Sequence, residues 1–512
     1  MRYLSMAALA LVGALTAGCS SDDNIVEQPQ QPDNKSNMVT LTTTVSMDGG
    51  AATRALSSGG VKTFAAGETM AIIYKNSSNE TVKAVSSALT AGDITAGKSA
   101  TFTFTLTDPD KAQNVAYIYP AAMAVETVAT SSAVDAEANV NYADLYSQQD
   151  GTLSNLANKF DYCTKSGAWD GDNLPSLTLE NKLAILAITL KSKDGSSDLT
   201  SGITGMTLTD GTNNYTITRS AAAGPIYVAI RPTSSAGIDI IATAGSNKYS
   251  KVVTSKSYTA NNGYSISWRM TDITDAVLGK FTINSSGDRV YFSKGNLQAA
   301  TSDLGASWTW AFATNQWDYI GNATANTSIN GLGTVSTNGT VDLFGWSTAV
   351  TNYGIYNSTN PYDYSGDFVD WGATMGTGWC TLTYAEWTYL LDTRTVNGGT
   401  GNGYSYTYGQ KVNNVLGVVI YPDGYNGVVY SGSDWSTFEA AGCVFLPAAG
   451  YYYHENGTEG VKAGEFGSYW SCTPYSNQPT VYSLYFTSAS LTPQSRDGRD
   501  YRFSVRLVRP VE

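Results

Sequence analysis

Residues 482–503, YSLYFTSASLTPQSRDGRDYRF, alternate polar or aromatic side chains with apolar ones. In the stretch 483–487 this alternation predicts a strand that buries Leu484 and Phe486 and turns the other three side chains outward. Tyrosine offers a large contact area at a small loss of side-chain entropy, serine and threonine form hydrogen bonds, and arginine and aspartate add charge. The chemistry predicted here is noncovalent ligand binding, through Ser483, Tyr485, Thr487, Ser490, Thr492, Ser495, Arg496, Asp497, Asp500 and Tyr501.

The chain offers few side chains for catalysis. Its single histidine, His454, follows three tyrosines, and one histidine excludes most triads, dyads and metal sites that are built on imidazole. Asp363, Asp367 and Asp370 lie in a loop rich in glycine and tyrosine, where no acid–nucleophile pair of the glycosidase type is recognisable. They are interpreted as solvated carboxylates. The sequence therefore predicts no catalytic residue and no cofactor.

The cysteines do not form a metal motif. Beyond Cys19 they stand at positions 163, 380, 443 and 472, without the short paired spacing of zinc sites, so no metal is predicted. If residues 445–452 and 468–473 pair as antiparallel neighbours, Cys443 and Cys472 lie opposite each other and form a disulfide in an exported protein. The alternative is that both are buried free thiols.

Charge and length limit the class of protein. The 512 residues carry 30 Lys and Arg against 43 Asp and Glu, which gives a net charge of -13. Nucleic acids are bound through clustered Lys and Arg, so a nucleic-acid partner is not expected. The length exceeds that of one ordinary domain, and a hydrophobic fraction of 42% is enough for two or three cores.

The N-terminus has the features of an export signal. Arg2 precedes an apolar run at residues 4–16 that is too short to span a membrane. The following LTAGC, which ends at Cys19, resembles the lipobox of bacterial lipoproteins; this implies that residues 1–18 are removed as a signal peptide and that Cys19 is lipidated. The next four residues, SSDD, resemble the signal that sends lipoproteins of Bacteroidota to the outer face of the outer membrane. We therefore expect an outer-membrane protein that faces the cell exterior, held by acyl chains and a lipidated tether at residues 19–37.

Residues 38–270 have the pattern of short antiparallel strands. Apolar residues recur at every second position, as in TFTFTL at residues 101–106, and Gly, Asn and Asp separate the strands. Residues 258–268 alternate in the same way and predict a closing strand. This pattern is typical of β-sandwiches, and residues 271–278 are predicted as the linker that follows.

The order of local motifs in this region resembles that of the fimbrillin-like proteins of Bacteroidota. The motifs are TRA at residues 53–55, FAAGETMAI at 64–72, YIYP at 117–120 and LAILAI at 183–188. The resemblance implies two tandem β-sandwich subdomains, divided near residues 165–177. In the pilins of this family, cleavage after an arginine frees a groove that accepts a strand from a partner, and Arg54 is the matching position. Other members of the family resemble anchored stalks. If this chain is one of those, Arg54 is an ordinary loop residue.

From residue 279 to residue 512, Trp, Tyr and Gly become frequent. Thr383 is a good N-cap and Glu386 completes a capping box, so a helix is predicted at residues 384–391. Its buried face would carry Trp387, Leu390 and Leu391. Glycine and aromatic residues between the predicted elements favour long ordered loops. An α+β domain with a small sheet is therefore predicted.

The motifs of this second region resemble a paralogous surface-protein domain first noted in Fibrobacter, which has a C-type-lectin-like or formylglycine-generating-enzyme-like fold. They include SKGNLQ at residues 293–298, DLFGW at 342–346, GWCTLT at 378–383 and VFLPAAGY at 444–451. Lectin-fold proteins diversified by retroelements also end with YWS, a strand of alternating variable positions and FSVRLVR, here at 469–471 and 503–509. The intervening segment is either such a variable surface or an ordinary polar face.

The sequence thus predicts a mostly β protein, in which a tandem β-sandwich precedes a C-type-lectin-like domain that binds an unknown protein or glycan ligand at the cell surface. One alternative is a fimbrial structural or tip subunit that joins other fimbrial subunits by strand addition. An enzyme of the formylglycine-generating type is another, although it needs a close pair of reactive cysteines. A calcium-dependent lectin is not predicted, because Gln478-Pro479-Thr480 lacks the carboxylate of a Ca²⁺ site.

Overall fold

A computed structural model describes residues 37–47, 63–160, 162–220, 222–321, 337–355, 364–376, 378–432, 434–455, 458–476 and 479–512. Within these residues the chain forms thirty strands in eight sheets and four short α-helices. The predicted fold class, mostly β, is confirmed. Two predicted positions, Cys19 and Arg54, lie outside the described residues.

An eight-stranded sheet forms the beginning of the described chain. Its strands are β1 (Met38–Met47), β2 (Ala71–Lys75), β3 (Thr81–Val85), β4 (Ile94–Thr95), β5 (Ser99–Thr107), β6 (Asn114–Tyr119), β7 (Cys163–Ala168) and β8 (Thr178–Asn181). Their spatial order is β3-β2-β6-β7-β8-β1-β5-β4. Strand β1 pairs antiparallel with β5 and parallel with β8, so the first strand lies inside the sheet.

Two further sheets pack against each other in the next part of the chain. Their strands are β9 (Ala184–Lys191), β10 (Gly205–Thr209), β11 (Asn214–Thr218), β12 (Ile226–Ile230), β13 (Thr233–Ala244), β14 (Asn247–Tyr258), β15 (Gly263–Arg269) and β16 (Thr271–Asp272). The spatial orders are β11-β10-β13-β14-β16 and β12-β9-β15. Helices α1 (Ala143–Ser147) and α2 (Leu153–Asn155) lie in the connection from β6 to β7. Since β8 still belongs to the first sheet, the change of sheet follows Asn181, beyond the interval 165–177 expected from the sequence.

Five small sheets make up the remainder. Their strands are β17 (Phe281–Thr282), β18 (Arg289–Phe292), β19 (Leu297–Thr301), β20 (Thr309–Phe312), β21 (Gly339–Val341), β22 (Tyr406–Val412), β23 (Val415–Ile420), β24 (Val444–Pro447), β25 (Tyr452–Glu455), β26 (Thr458–Val461), β27 (Gly467–Pro474), β28 (Thr480–Phe486), β29 (Leu491–Gly498) and β30 (Val508–Pro510). The sheets are β17-β18-β30, β20-β19-β21, β22-β23-β24, β25-β26 and β27-β28-β29. Helices α3 (Tyr384–Thr388) and α4 (Trp435–Ala440) pack beside them.

Helix α3 begins where its capping residues predict. The backbone N–H of Glu386 donates to the Thr383 hydroxyl at 3.1 Å, and the Thr383 N–H donates to the Glu386 carboxylate at 2.7 Å. These bonds satisfy two of the amide groups that a helix start leaves unpaired. After α3 the chain continues as a π-helical turn at Tyr389–Thr393. Trp387, Leu390 and Leu391 are fully buried, as predicted.

The sheet β27-β28-β29 is covered on both faces. Leu484 and Phe486 of β28 belong to one hydrophobic cluster, whereas Val481 of the same strand belongs to another. The ring of Phe486 lies directly over Gly467 of β27, where a Cβ atom would be 2.0 Å from the ring. Only glycine permits this close approach.

The last residues of the chain join the small sheets to one another. Residues 502–511 exchange backbone hydrogen bonds with segments that are far apart in sequence. Partners of this segment include Arg289, Ser293, Leu297, Phe344, Cys380, Tyr452, Ser468 and Trp470. The terminal segment therefore fixes how these elements lie relative to one another.

The chain end also contacts the first half of the protein. The Glu512 carboxylate lies 2.8 Å from the Lys193 ammonium, and the Val252 N–H donates to the Glu512 carbonyl at 2.8 Å. A second ion pair, of 2.5 Å, joins Lys280 to Asp239. Glu512 is therefore held by the β-sandwich region.

Replacing Phe486 by alanine is expected to lower the free energy of unfolding of the C-terminal half by about 3–5 kcal/mol, because it removes a fully buried ring and leaves a cavity. The matched change Thr492→Ala, at an exposed position of the neighbouring strand, should stay within about 0.5 kcal/mol. Denaturant unfolding of the full chain, followed by tryptophan fluorescence, measures both. Similar losses in the two variants would contradict the burial of the Phe486 ring.

Candidate ligand-binding site

A cavity of about 260 Å³ opens beside the sheet β27-β28-β29. Its lining residues are Tyr451, Ser468, Tyr485, Ser495, Asp497, Tyr501 and Phe503. Tyr485, Ser495, Asp497 and Tyr501 are among the ligand-binding residues that the sequence predicts. The structure thus brings together side chains of four separate segments, and it gathers the predicted residues only in part.

Strand pairing places the polar lining residues on one face of the sheet. Ser468 is the direct partner of Tyr485, and Ser495 is the partner of Ser483. Asp497 follows two residues after Ser495, and side chains two residues apart on a strand share a face. The pairing of β28 with β29 shifts by one residue between Ser483 and Tyr485. Such bulges bend and twist a strand and often lie beside binding sites.

Aromatic rings form the opposite wall of the cavity. The centroids of Tyr451 and Tyr501 are 6.2 Å apart, and those of Tyr501 and Phe503 are 5.8 Å apart. Tyr485 stacks on Phe466 at 5.8 Å. Because rings at these separations support one another, the wall is held by packing and is formed before any ligand binds.

Asp497 supplies the negative charge of the cavity. One carboxylate oxygen accepts a 2.5 Å hydrogen bond from the Ser483 hydroxyl, and Ser495 gives a second hydrogen bond. Burial raises the pKa of Asp497, and the two hydrogen bonds offset only part of this rise. None of the salt bridges among the described residues involves Asp497. Within that part of the chain, the carboxylate has serine hydroxyls but no cation as partners.

The three arginines that neighbour Asp497 in sequence contact aromatic rings. Arg496 lies on the opposite face of β29, where its strand partner is Tyr482, so it is separated from the cavity although the sequence predicts it as a contact. Arg499 donates to the Tyr364 carbonyl at 3.0 Å. Each guanidinium lies over an aromatic ring, with centroid distances of 4.1 Å from Arg496 to Tyr475, 4.4 Å from Arg499 to Trp346 and 4.5 Å from Arg502 to Tyr452.

The prediction that the side chain of Ser483 turns outward is wrong. The alternation in β28 assumes one wet face, but hydrophobic clusters cover both faces, and Ser483 is fully buried. Its hydroxyl instead donates to Asp497 from beneath the cavity. Ser483 therefore positions the carboxylate and cannot reach a ligand directly.

Thr487, Ser490 and Thr492 lie at the hairpin that joins β28 to β29. The Thr487 N–H donates to the Ser490 carbonyl at 2.8 Å, and their hydroxyls are 3.0 Å apart. Asp500 lies in the turn after β29, where burial raises its pKa. None of these four residues lines the cavity, so a contact from them would require a ligand that extends beyond it.

Sequence reasoning missed Tyr451, Ser468 and Phe503. Tyr451 ends the motif VFLPAAGY and Phe503 begins FSVRLVR, so both have the pattern of framework residues. The alternation of Ser468 with the buried Tyr469 was the one available signal. Their place in the cavity depends on contacts between distant parts of the chain, which the spacing of residues in a single sequence does not reveal.

The predicted disulfide between Cys443 and Cys472 is not formed, and both are free thiols. The strands pair differently from the prediction: β24 pairs with β23, and β27 pairs with β28. Cys443 is buried against Phe438 and Phe445 in one cluster, whereas the Cys472 N–H donates to the Leu382 carbonyl elsewhere. Burial raises the pKa of each thiol to about 12, so both are protonated at neutral pH.

Two kinds of feature are absent from the described residues. They hold no group of three or more His, Cys, Asp or Glu side chains placed to bind a metal ion. They also hold no helix with the length and apolar character needed to cross a membrane.

Comparison with known proteins gives distant likenesses. Residues 433–508 match a family described as a domain of unknown function (DUF8237). No curated protein matches the chain. Among solved structures, a fimbrial assembly protein from Parabacteroides distasonis is similar with a TM-score of 0.28 and 9% identity, over 50% of this chain and 96% of that one. A candidate cell adhesion protein from Bacteroides fragilis is similar with a TM-score of 0.26 and 11% identity, over 54% and 95% of the two chains. Likenesses at this level assign no role.

Replacing Asp497 by asparagine is expected to stabilise the protein at neutral pH, because the amide oxygen still accepts from Ser483 while the buried charge is removed. The pKa of Asp497 is raised in the folded protein, so the folded state binds its proton more tightly than the unfolded chain does. This carboxyl therefore lowers the free energy of unfolding as pH rises above about 4, the ordinary pKa of Asp.

The gain in melting temperature should be present at pH 7 and disappear as pH falls below about 4, where the carboxyl is protonated in both states. Thermal unfolding of the two proteins across this range measures the difference. A variant that is less stable at both ends of the range would show that Asp497 is mainly a structural partner of Ser483.

Proposed function

We propose that this protein is a cell-surface adhesin or receptor whose C-terminal half binds a ligand in the cavity beside β28 and β29. One observation carries the proposal: the segment whose composition predicts binding places Tyr485, Asp497 and Tyr501 around one cavity. A carboxylate with no cation partner among the described residues and preformed aromatic walls are features of a site kept for a partner.

The proposed location follows from the N-terminal sequence. Residues 1–18 would direct export, acyl chains on Cys19 would anchor the protein in the outer membrane, and residues 19–37 would form the tether. The β-sandwich region at 38–270 would then act as a stalk, joined through the linker 271–278 to a binding domain at 279–512. In this proposal the protein faces the cell exterior.

The proposed binding domain has a C-type-lectin-like fold. Its support is the set of sequence motifs together with the five small sheets and two short helices that the described residues form. Retroelement diversification of the β28–β29 segment is supported by the sequence pattern alone. It would explain why adaptable residues are concentrated on these two strands.

Catalysis of the formylglycine-generating type is less well supported. Cys380 and Cys472 are close enough for one thiol to contribute to the raised pKa of the other, and burial is the main reason that each pKa is about 12. A reactive cysteine needs an accessible thiolate. Protonated, half-buried thiols favour the binding role.

Tyr485→Ala should weaken binding of the protein's ligand by about 1–4 kcal/mol, since aromatic residues at the centre of a site contribute most of its binding energy. Tyr482→Ala is the matched control, because Tyr482 lies on the same strand but faces away, stacked on Tyr384 at 4.1 Å. Full-length protein can be applied to arrays of glycans and of cell-surface proteins. Array signals that survive Tyr485→Ala but not Tyr482→Ala would place binding on the other face and overturn the proposal.

A second candidate, a fimbrial subunit, is favoured by the position of β1. This strand ends before Arg54 and lies between β5 and β8, paired with β5 from Met38–Thr107 to Ser46–Ser99. If cleavage at Arg54 released β1, the unpaired edges of its two neighbours would accept a strand from another subunit. The two candidate functions are compatible, because a subunit at the tip of a fimbria also binds a ligand.

Cleavage by an arginine-specific protease should convert the protein into detergent-resistant, high-mass assemblies if strand exchange occurs. The matched variant Arg54→Lys keeps the charge but resists this protease, so it should remain monomeric. Gel electrophoresis without boiling measures the difference. Cleaved protein that remains monomeric with β1 still bound would rule out the fimbrial role and leave the anchored stalk.

A further inference from the structure

We infer that the group received by the cavity is a cation on an alkyl stem, with the ammonium of a lysine side chain as its type. The inference rests on the proposed ligand-binding function of this cavity. It goes further in naming the chemistry of the ligand, which neither the sequence motifs nor the comparisons supply.

The charge around Asp497 is not balanced by a cation among the described residues. Its hydrogen-bond partners are the hydroxyls of Ser483 and Ser495, and no salt bridge among the described residues reaches it. A half-buried carboxylate is unfavourable unless a positive charge compensates for its lost hydration. Since the three arginines that neighbour Asp497 in sequence lie over aromatic rings, a cation from a partner can fill this place without competition from them.

The aromatic wall of the cavity also suits a cation. Tyr451, Tyr485 and Tyr501 line the same cavity as Asp497. The face of a tyrosine ring attracts a cation, and the attraction strengthens when water is excluded. The same rings contact the methylene groups of an alkyl stem, so an alkylamine can use both kinds of contact.

The cavity is small. Cavities that enclose drug-sized ligands are about 300–1,000 Å³, and this one is about 260 Å³. It therefore suits one side chain better than an oligosaccharide. The net charge of -13 favours the approach of a positively charged partner over long range.

The test uses the full-length protein in detergent and three small probes. Nα-acetyl-lysine amide carries the stem and the charge, Nα-acetyl-norleucine amide carries the stem alone, and methyl β-galactoside is a neutral sugar. Saturation-transfer difference NMR gives the affinity of each probe. The lysine probe should bind at least about tenfold more tightly than the norleucine probe, because it pairs with the carboxylate.

Asp497→Asn should reduce the affinity for the lysine probe at least about tenfold, to that of the norleucine probe. The matched control is Asp392→Asn, which removes another carboxyl group whose pKa is raised by burial and which lies outside the cavity; it should change nothing. The Asp497→Asn variant must show the same melting transition as the parent or a higher one, which separates loss of binding from loss of folding.

Two results would overturn the inference. Equal affinities for the lysine and norleucine probes, or an unchanged affinity in Asp497→Asn, would show an apolar site. Binding of the galactoside that depends on Tyr485 but not on Asp497 would show a sugar site, which leaves the proposed function standing and removes only the cation. If no probe binds, the inference also fails, and the array experiment with Tyr485→Ala decides the proposed function separately.

Discussion

The arrangement of the C-terminal half depends on one short segment, residues 502–511. A strand in an ordinary sheet satisfies its backbone groups with two neighbours, but this segment divides its hydrogen bonds among many, from Trp470 at Ser504 to Arg289 at Val511. The reciprocal bonds between Arg502 and Tyr452 and between Phe503 and Phe344, all of 3.0 Å, hold two loops beside the small sheets. Because Tyr451 and Phe503 adjoin these bonds, the aromatic wall of the cavity is positioned by the backbone of the chain end.

A buried arginine reinforces this arrangement. Arg506 is 2% exposed, and its guanidinium donates to the side-chain carbonyl of Gln316 at 3.0 Å. The same carbonyl accepts the Phe445 N–H at 2.8 Å, and the Gln316 amide donates to the Cys443 carbonyl at 3.2 Å. Burial lowers the pKa of Arg506 to about 10, so it stays charged at neutral pH. Removing one member of such a network would leave the others buried and unpaired, which makes the geometry specific.

Local signals in the sequence predicted local structure well. Thr383 and Glu386 give the start of α3, and the alternation of Leu484 and Phe486 gives β28, because both depend on residues a few positions apart. The orientation of Ser483 was predicted wrongly, because a second hydrophobic cluster covers the face of β28 that the alternation left polar. The predicted disulfide between Cys443 and Cys472 was wrong for a related reason. The partner of each strand is determined by packing across the whole C-terminal half. The sequence therefore predicted which types of residue line the cavity, but not the full set of lining residues.

The position of β30 has a consequence for how the chain folds. It pairs with β18, which lies more than two hundred residues earlier in the chain, as Val290 and Pro510 show. Contacts between such distant residues require closure of a large loop before they contribute stability, and folds with high contact order form slowly. The first sheets can form while the rest of the chain is still being synthesised. The second half must wait for its final residues, and during that delay its Trp-rich clusters are exposed to aggregation.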